Sequence, residues 1–285
     1  MENKIQIKWF QELDSTSNEL LRHMQDYDNL SVVAAVNQTA GRGQRGNRWL
    51  SKPGDNLTFS LLVRFPLPDN LVPSLPFQPG SSDPFRPDPS HPFPPPSRHS
   101  RPDRESLPAR EVMAVTCLSA LAVRDCLREA GVQAVIKWPN DIYAGNRKIC
   151  GMLIENGLEG DSVAWSVIGI GVNLNQTEFP GELVNPTSVK RLTGRSCAPE
   201  AFLSTLCERL EQLLPELDSP AGRTRLREAY ARDLFQKDSP APYRDLATGK
   251  EFTGILRGVT PEGLVRIEAE GTERTFGFKE IGYIL

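Results

Sequence analysis

At 285 residues, the chain is long enough for one large domain and a small one, and it can bury a sizeable core without disulfides. A formal charge of -3 excludes an overall basic field that would hold the molecule on nucleic acid or on an anionic membrane. Five cysteines without paired spacing and three scattered histidines argue against a disulfide framework and a zinc site; with no run of 18 apolar residues, the expected compartment is the reducing cytoplasm.

In chain order, IQIKWF alternates apolar and polar residues as a first strand does, and Asp14-Ser15-Thr16-Ser17 offers N-cap chemistry to a helix at NELLRHM. SVVAAVNQ is a second, largely apolar strand that runs directly into GRGQRGNRW, residues 41–49. NLTFSLLVRF, rich in branched and aromatic side chains, is a third strand, so the glycine-arginine loop hangs at a sheet end. Composition then shifts: residues 66–108 hold 14 of the 24 prolines and read as a disordered, partly polyproline II insertion. The periodicity of AREVMAVTCLSALAVRDCLREAG predicts a helix ended by Gly131. VQAVIKWPNDIYAGNRKICGMLIENGLEGDSVAWSVIGIGVNLN reads as strand, tight connection, strand, hairpin and strand. Two helices follow over 199–214 and 222–234, and beyond Asp238 short alternating strands predict a small five-stranded barrel. A domain boundary is placed near residue 235, giving domains 1–235 and 236–285.

Three segments carry chemistry. The 41–49 loop lacks the GK[ST] ending of a P-loop, and its glycines open no helix, so it matches the dinucleotide fingerprint only by spacing. Either its glycines let backbone N–H groups approach an anion that the arginines neutralise, or it is a solvated basic turn. KWPNDIYAGNRKICG gathers Lys137, Asn140, Asp141 and Lys148; Asp141 is a candidate Mg²⁺ ligand or a turn residue. GIGVNLN interrupts a strand with Gly169 and Gly171, which implies close approach of a ligand or another backbone, or a bulge.

Taken together, and in this order, GRGQRGNRW, KWPNDIY, KICG and GIGVN resemble the biotin protein ligase family, and ELDSTSNE and VNQTAGRG resemble its biotin-pocket segments. The resemblance implies an α/β (α+β) catalytic domain with a mixed central sheet of the biotin/lipoate ligase type, followed by a small SH3-like C-terminal β-barrel. It implies ATP, Mg²⁺ and biotin as reactants, a biotinyl-5'-adenylate intermediate, and a lysine of a biotin carboxyl carrier protein as acceptor; a homodimer is left open. By position, Lys148, Asp141 and Arg42 would be catalytic, with Asp141 also at the metal. Ser15, Thr16, Ser17, Gln38, Arg42, Gly43, Gln44, Trp49, Lys148, Gly151, Gly169 and Gly171 would bind biotin, which would lie flat on the two strand glycines with Trp49 over its apolar tail. Arg45, Arg48, Lys137, Asn140 and Asn173 would bind ATP, Asn173 reading adenine.

Two departures stand out. Gln44 and Asn47 occupy positions where the family commonly carries arginine, which predicts looser retention of the adenylate. A repressor variant would need a helix-turn-helix ahead of the first strand, and the strand begins at Ile5, so no nucleic-acid or membrane partner is expected. A lipoate or octanoyl ligase on the same fold is disfavoured by Trp49 and KWPND.

Overall fold

The computed structural model describes residues 4–68 and 105–285; of the expected insertion at 66–108, residues 69–104 therefore lie outside the described ones. Strands β1 (Gln6–Leu13), β2 (Ser31–Gln38), β3 (Leu57–Arg64), β4 (Ala134–Lys137), β5 (Asp141–Ala144), β6 (Arg147–Glu159) and β7 (Ser162–Val172) form one sheet, ordered β1-β2-β3-β7-β6-β5-β4. β1 and β2 run parallel and every other neighbouring pair is antiparallel, so the sheet is mixed, as expected. A parallel pair needs a crossover, and helix α1 (Thr16–Arg22) lies on it. The β5–β6 connection is the two-residue turn Gly145-Asn146, with Gly145 at φ +55°.

Strand alternation decides which face holds the core. On β7, Ile168, Ile170 and Val172 join Phe59 and Leu61 of β3 and Val32 and Ala34 of β2 in the main hydrophobic core. That face is covered by α2 (Met113–Glu129), α4 (Pro199–Leu213) and α5 (Pro220–Arg232), which contribute Leu118, Leu206 and Leu226 among others. The opposite face is thinly covered: Leu20 of α1 and Met24 pack on Val33, Leu62 and Val167 in a small second cluster. Beside that cluster the same face carries glycines and hydroxyls, covered by Ser17 of α1 and by the Trp49 ring. α3 (Val189–Thr193), capped by Ser188 and ended by Gly194 at φ +74°, was not anticipated from the sequence. No described helix is long and apolar enough to cross a membrane.

The C-terminal strands β8 (Pro240–Asp245), β9 (Glu251–Val259), β10 (Val265–Ala269), β11 (Thr272–Phe276) and β12 (Ile281–Tyr283) make a second antiparallel sheet, ordered β11-β10-β9-β8-β12. The five strands expected of a small barrel are all present, as an open sheet whose ends, β11 and β12, do not pair with each other. This sheet is fastened to the first. Trp138 Nε1 donates to the Gly263 carbonyl at 3.0 Å, and the Phe235 ring lies 5.6 Å from that of Tyr143 and 6.3 Å from that of Tyr283.

Candidate active site

A cavity of about 350 Å³ opens on the thinly covered face, between the 41–49 loop, the β4–β5 connection and the end of the second sheet. Its volume is within the range of small-molecule sites. The register explains why residues distant in sequence meet there. One row across the sheet runs Lys137, Asp141, Gly151, Gly171, Thr58, each opposite the next. Cross-strand neighbours in such a row share a face, so two glycines form a floor with charged side chains at one end. The next row sets Leu153 against Gly169 and Gly169 against Ser60.

The loop is folded on itself. Trp49 N donates to Gly41 O at 2.9 Å and Gly43 N to Asn47 O at 2.8 Å, and Arg42 bridges Arg48. A Cβ on Gly41 would lie 2.5 Å from the Trp49 carbonyl oxygen, so this glycine is needed by the hairpin itself. The closed hairpin places the Trp49 indole on the glycine floor. A Cβ on Gly171 would stand 2.3 Å from the ring, and one on Gly151 3.3 Å from it. The Trp49 indole N–H is buried and has no hydrogen-bond partner among the described residues, a donor whose desolvation is uncompensated.

Two ion pairs flank the floor. Lys148 Nζ is 2.6 Å from Asp141 Oδ1, and the Lys148 stem passes over Gly151, where a Cβ would come within 3.0 Å of it. Arg42 donates to both oxygens of Glu155, at 2.8 and 3.0 Å, and to Asn18 Oδ1 at 2.9 Å. Lys137 is held between two phenol rings, 4.7 Å from the Tyr143 centroid and 4.9 Å from that of Tyr283. Burial lowers its pKa, an effect that Asp141 opposes.

At the other end, Ser15 caps α1, its Oγ accepting from Asn18 N at 3.5 Å. Gln38 Oε1 accepts from Thr16 N at 2.8 Å, and Ser60 Oγ lies 2.8 Å from Thr16 Oγ1 and 2.9 Å from Ser17 Oγ. Ser15, Thr16, Ser17, Gln38, Gly43 and Gln44 all line the cavity, as do Arg48 and Asn140. The side chain of Arg45 lies outside the described ones.

Three of the expected site residues are engaged by the protein itself in this structure. Asn173, expected to read adenine, does not line the cavity; its Nδ2 donates to the Thr187 carbonyl at 3.0 Å inside the fold. Gly169 and Gly171 do not leave an open strand surface: Ser17 Oγ, 2.6 Å from a Gly169 Cβ, and the Trp49 ring occupy it. Asn140 reaches the cavity, yet its Nδ2 is committed to the Met152 carbonyl and braces β6.

Sequence reasoning missed Thr58, Ser60, Glu155 and the second sheet's Phe278, Lys279 and Tyr283. Ser60 and Glu155 were legible only through the register, since nothing local distinguishes them.

The biotin--[acetyl-CoA-carboxylase] ligase of Paracoccus denitrificans is 28% identical over 258 residues, 88% of this chain and 89% of that protein. The bifunctional ligase/repressor BirA of Bacillus subtilis (strain 168) is 32% identical over 168 residues, 58% of this chain; the match spans only 39% of that protein's length. Among solved structures, the biotin protein ligase from Aquifex aeolicus in complex with biotin and ATP shares the fold, with a TM-score of 0.69 at 22% identity over 97% of each chain. The model of the Biotin/lipoate A/B protein ligase family matches residues 9–77 and 100–173, half of the chain, and the chain belongs to that family.

Proposed function

We propose that the chain joins biotin to a lysine of a biotin carboxyl carrier protein in two ATP-dependent steps, through biotinyl-5'-AMP. The observation that carries this reading is the charge of the cavity. Arg42, Arg48, Lys137, Lys148 and Lys279 line it against one carboxylate, Asp141, beside a glycine and tryptophan floor suited to an apolar chain. Making the adenylate brings a carboxylate onto a phosphate, two anions whose approach needs fixed cations.

In the first step a carboxylate oxygen of biotin bonds to the α-phosphorus and the bond to the bridging oxygen breaks, so pyrophosphate leaves. Lys148, at the end of the glycine row, is placed to hold both reacting anions. In the second step the acceptor amine, having lost its proton to solvent or to Asp141, bonds to the acyl carbon, and AMP leaves with the electron pair of the broken C–O bond. The Trp49 ring closes the floor against water. Magnesium fits this donor set in one way. Among the described residues no three His, Cys, Asp or Glu side chains form a metal group, so a protein cage is absent. Asp141 alone would hold the ion together with nucleotide phosphates, the habit of Mg²⁺ in nucleotide sites, and the ion would supply charge neutralisation.

The test is biotin-dependent exchange between ATP and pyrophosphate, with lipoate as the rival acid and Lys148→Ala as the control. Exchange with biotin alone, lost in the variant, supports the reading; exchange with lipoate in preference to biotin overturns it.

A further inference from the structure

The turn joining β11 to β12, Gly277-Phe278-Lys279-Glu280, is closed by Glu280 N donating to Gly277 O at 3.0 Å. Gly277 N in turn donates to Glu280 Oε2 at 2.6 Å. In a turn with a left-handed third residue, glycine is the residue of choice, because a Cβ is strained there. This chain places Lys279 at that position, with φ +93°. The turn is anchored over the site: the Phe278 ring meets that of Trp138 edge-on at 6.1 Å, and both Phe278 and Lys279 line the cavity.

Among the described side chains, three of the other four cations of the cavity are engaged, and the fourth, Arg48, forms no ion pair. Lys148 is paired with Asp141, Arg42 with Glu155, and Lys137 is held between two phenol rings. Lys279 forms no ion pair among the described residues and is exposed at the cavity wall. A strained backbone position that presents an unengaged ammonium to an anion site is economically explained by an anion that it meets.

We propose that Lys279 binds the polyphosphate of the nucleotide, so that the second sheet supplies a cation to the adenylation site. This rests on the proposed adenylation. The experiment measures exchange kinetics and thermal midpoints for wild type, Lys279→Gly and Lys279→Arg. Glycine removes the charge and relieves the left-handed strain, so the glycine variant should melt no lower than wild type. Its KM for ATP should rise about tenfold, the scale of one lost charge-assisted contact, with the KM for biotin unaffected. Lys279→Arg should keep the wild-type KM for ATP. An unchanged KM for ATP in the glycine variant overturns the proposal; so does an equal rise in both variants. If wild type shows no biotin-dependent exchange, the proposed function fails separately, and calorimetric titration of ATP into wild type and Lys279→Gly still decides the point. Equal ATP affinity of the two, or no ATP binding by either, refutes the role of Lys279.

Discussion

Gly171→Ala puts one methyl group beneath the Trp49 indole, and the consequence can be worked from the distances. A Cβ at residue 171 lies 2.3 Å from Cε2, 2.6 Å from Cζ2 and 2.7 Å from Cδ2 of that ring. Carbon contacts are most favourable at about 3.5–4.0 Å, so the indole must retreat by roughly 1 Å or more. It cannot do so alone, because the Trp49 backbone is bonded to Gly41 and Arg42 bridges Arg48. The loop therefore moves with it. Overpacking of this kind costs about 1–3 kcal/mol. The functional cost should be larger, since a displacement of about 1 Å in a positioned site lowers kcat/KM by roughly a hundredfold. Biotin-dependent exchange and a thermal melt of the same preparation measure both. Gly181→Ala is the control: its Cβ would meet nothing within 4 Å, and it should be neutral. A Gly171→Ala enzyme with wild-type kcat/KM for biotin would refute the idea that the indole and the floor are one unit.

Asn173→Ala should lower stability by about 1–3 kcal/mol through the lost bond to Thr187, and leave the KM for ATP unchanged; a raised KM at unaltered stability would restore the adenine-reading role. The phenols of Tyr143 and Tyr243 are pushed up by burial from 10.0 to about 12, so the native state keeps protons that the unfolded chain gives up. Their contribution is complete below pH 10 and is lost as pH rises towards 12; denaturant titrations across that window should show falling stability, with a shallower slope in Tyr143→Phe, and a flat profile contradicts the assignment. Gln44→Arg should reduce the release of free biotinyl-adenylate in the absence of carrier protein, and equal release by both enzymes removes Gln44 as the cause.

The sequence was most informative where chemistry is written in consecutive residues. GRGQRGNRW, KWPND and GIGVN each sit on the cavity, and in the loop and the strand Gly41, Gly169 and Gly171 are small because another group approaches closely. Their meeting in one cross-strand row, from Lys137 to Thr58, is a fact of register, and no local pattern records which strand lies beside which. The engagement of Asn173 was hidden for a related reason. A polar residue one position beyond a glycine-interrupted strand looks available, but β7 ends at Val172 and the chain turns inward, where the amide is spent on Thr187. The second sheet was legible as five short strands; that its β11–β12 turn leans over the first domain's cavity depends on the Trp138 contacts to Gly263 and Phe278, which join residues 125 or more positions apart.

The pairing of the cations also bears on how the site works. Lys148 with Asp141 and Arg42 with Glu155 are partly exposed pairs, with side chains between 22% and 34% accessible. Pairs of that kind are worth about 1 kcal/mol or less, so exchanging a carboxylate partner for a phosphate oxygen costs little. The pairs nonetheless hold the two cations in place over the glycine row, so the entropy of ordering long side chains is met before an anion arrives. In the reaction we propose, a phosphate that displaced Asp141 from Lys148 would leave that carboxylate facing the nucleotide. One exchange would then turn the ion pair into a cation on the reacting anions and a carboxylate available for a metal ion or an amine proton. The glycines keep this rearrangement local, because at Gly151 any side chain would collide with the Lys148 stem that has to move.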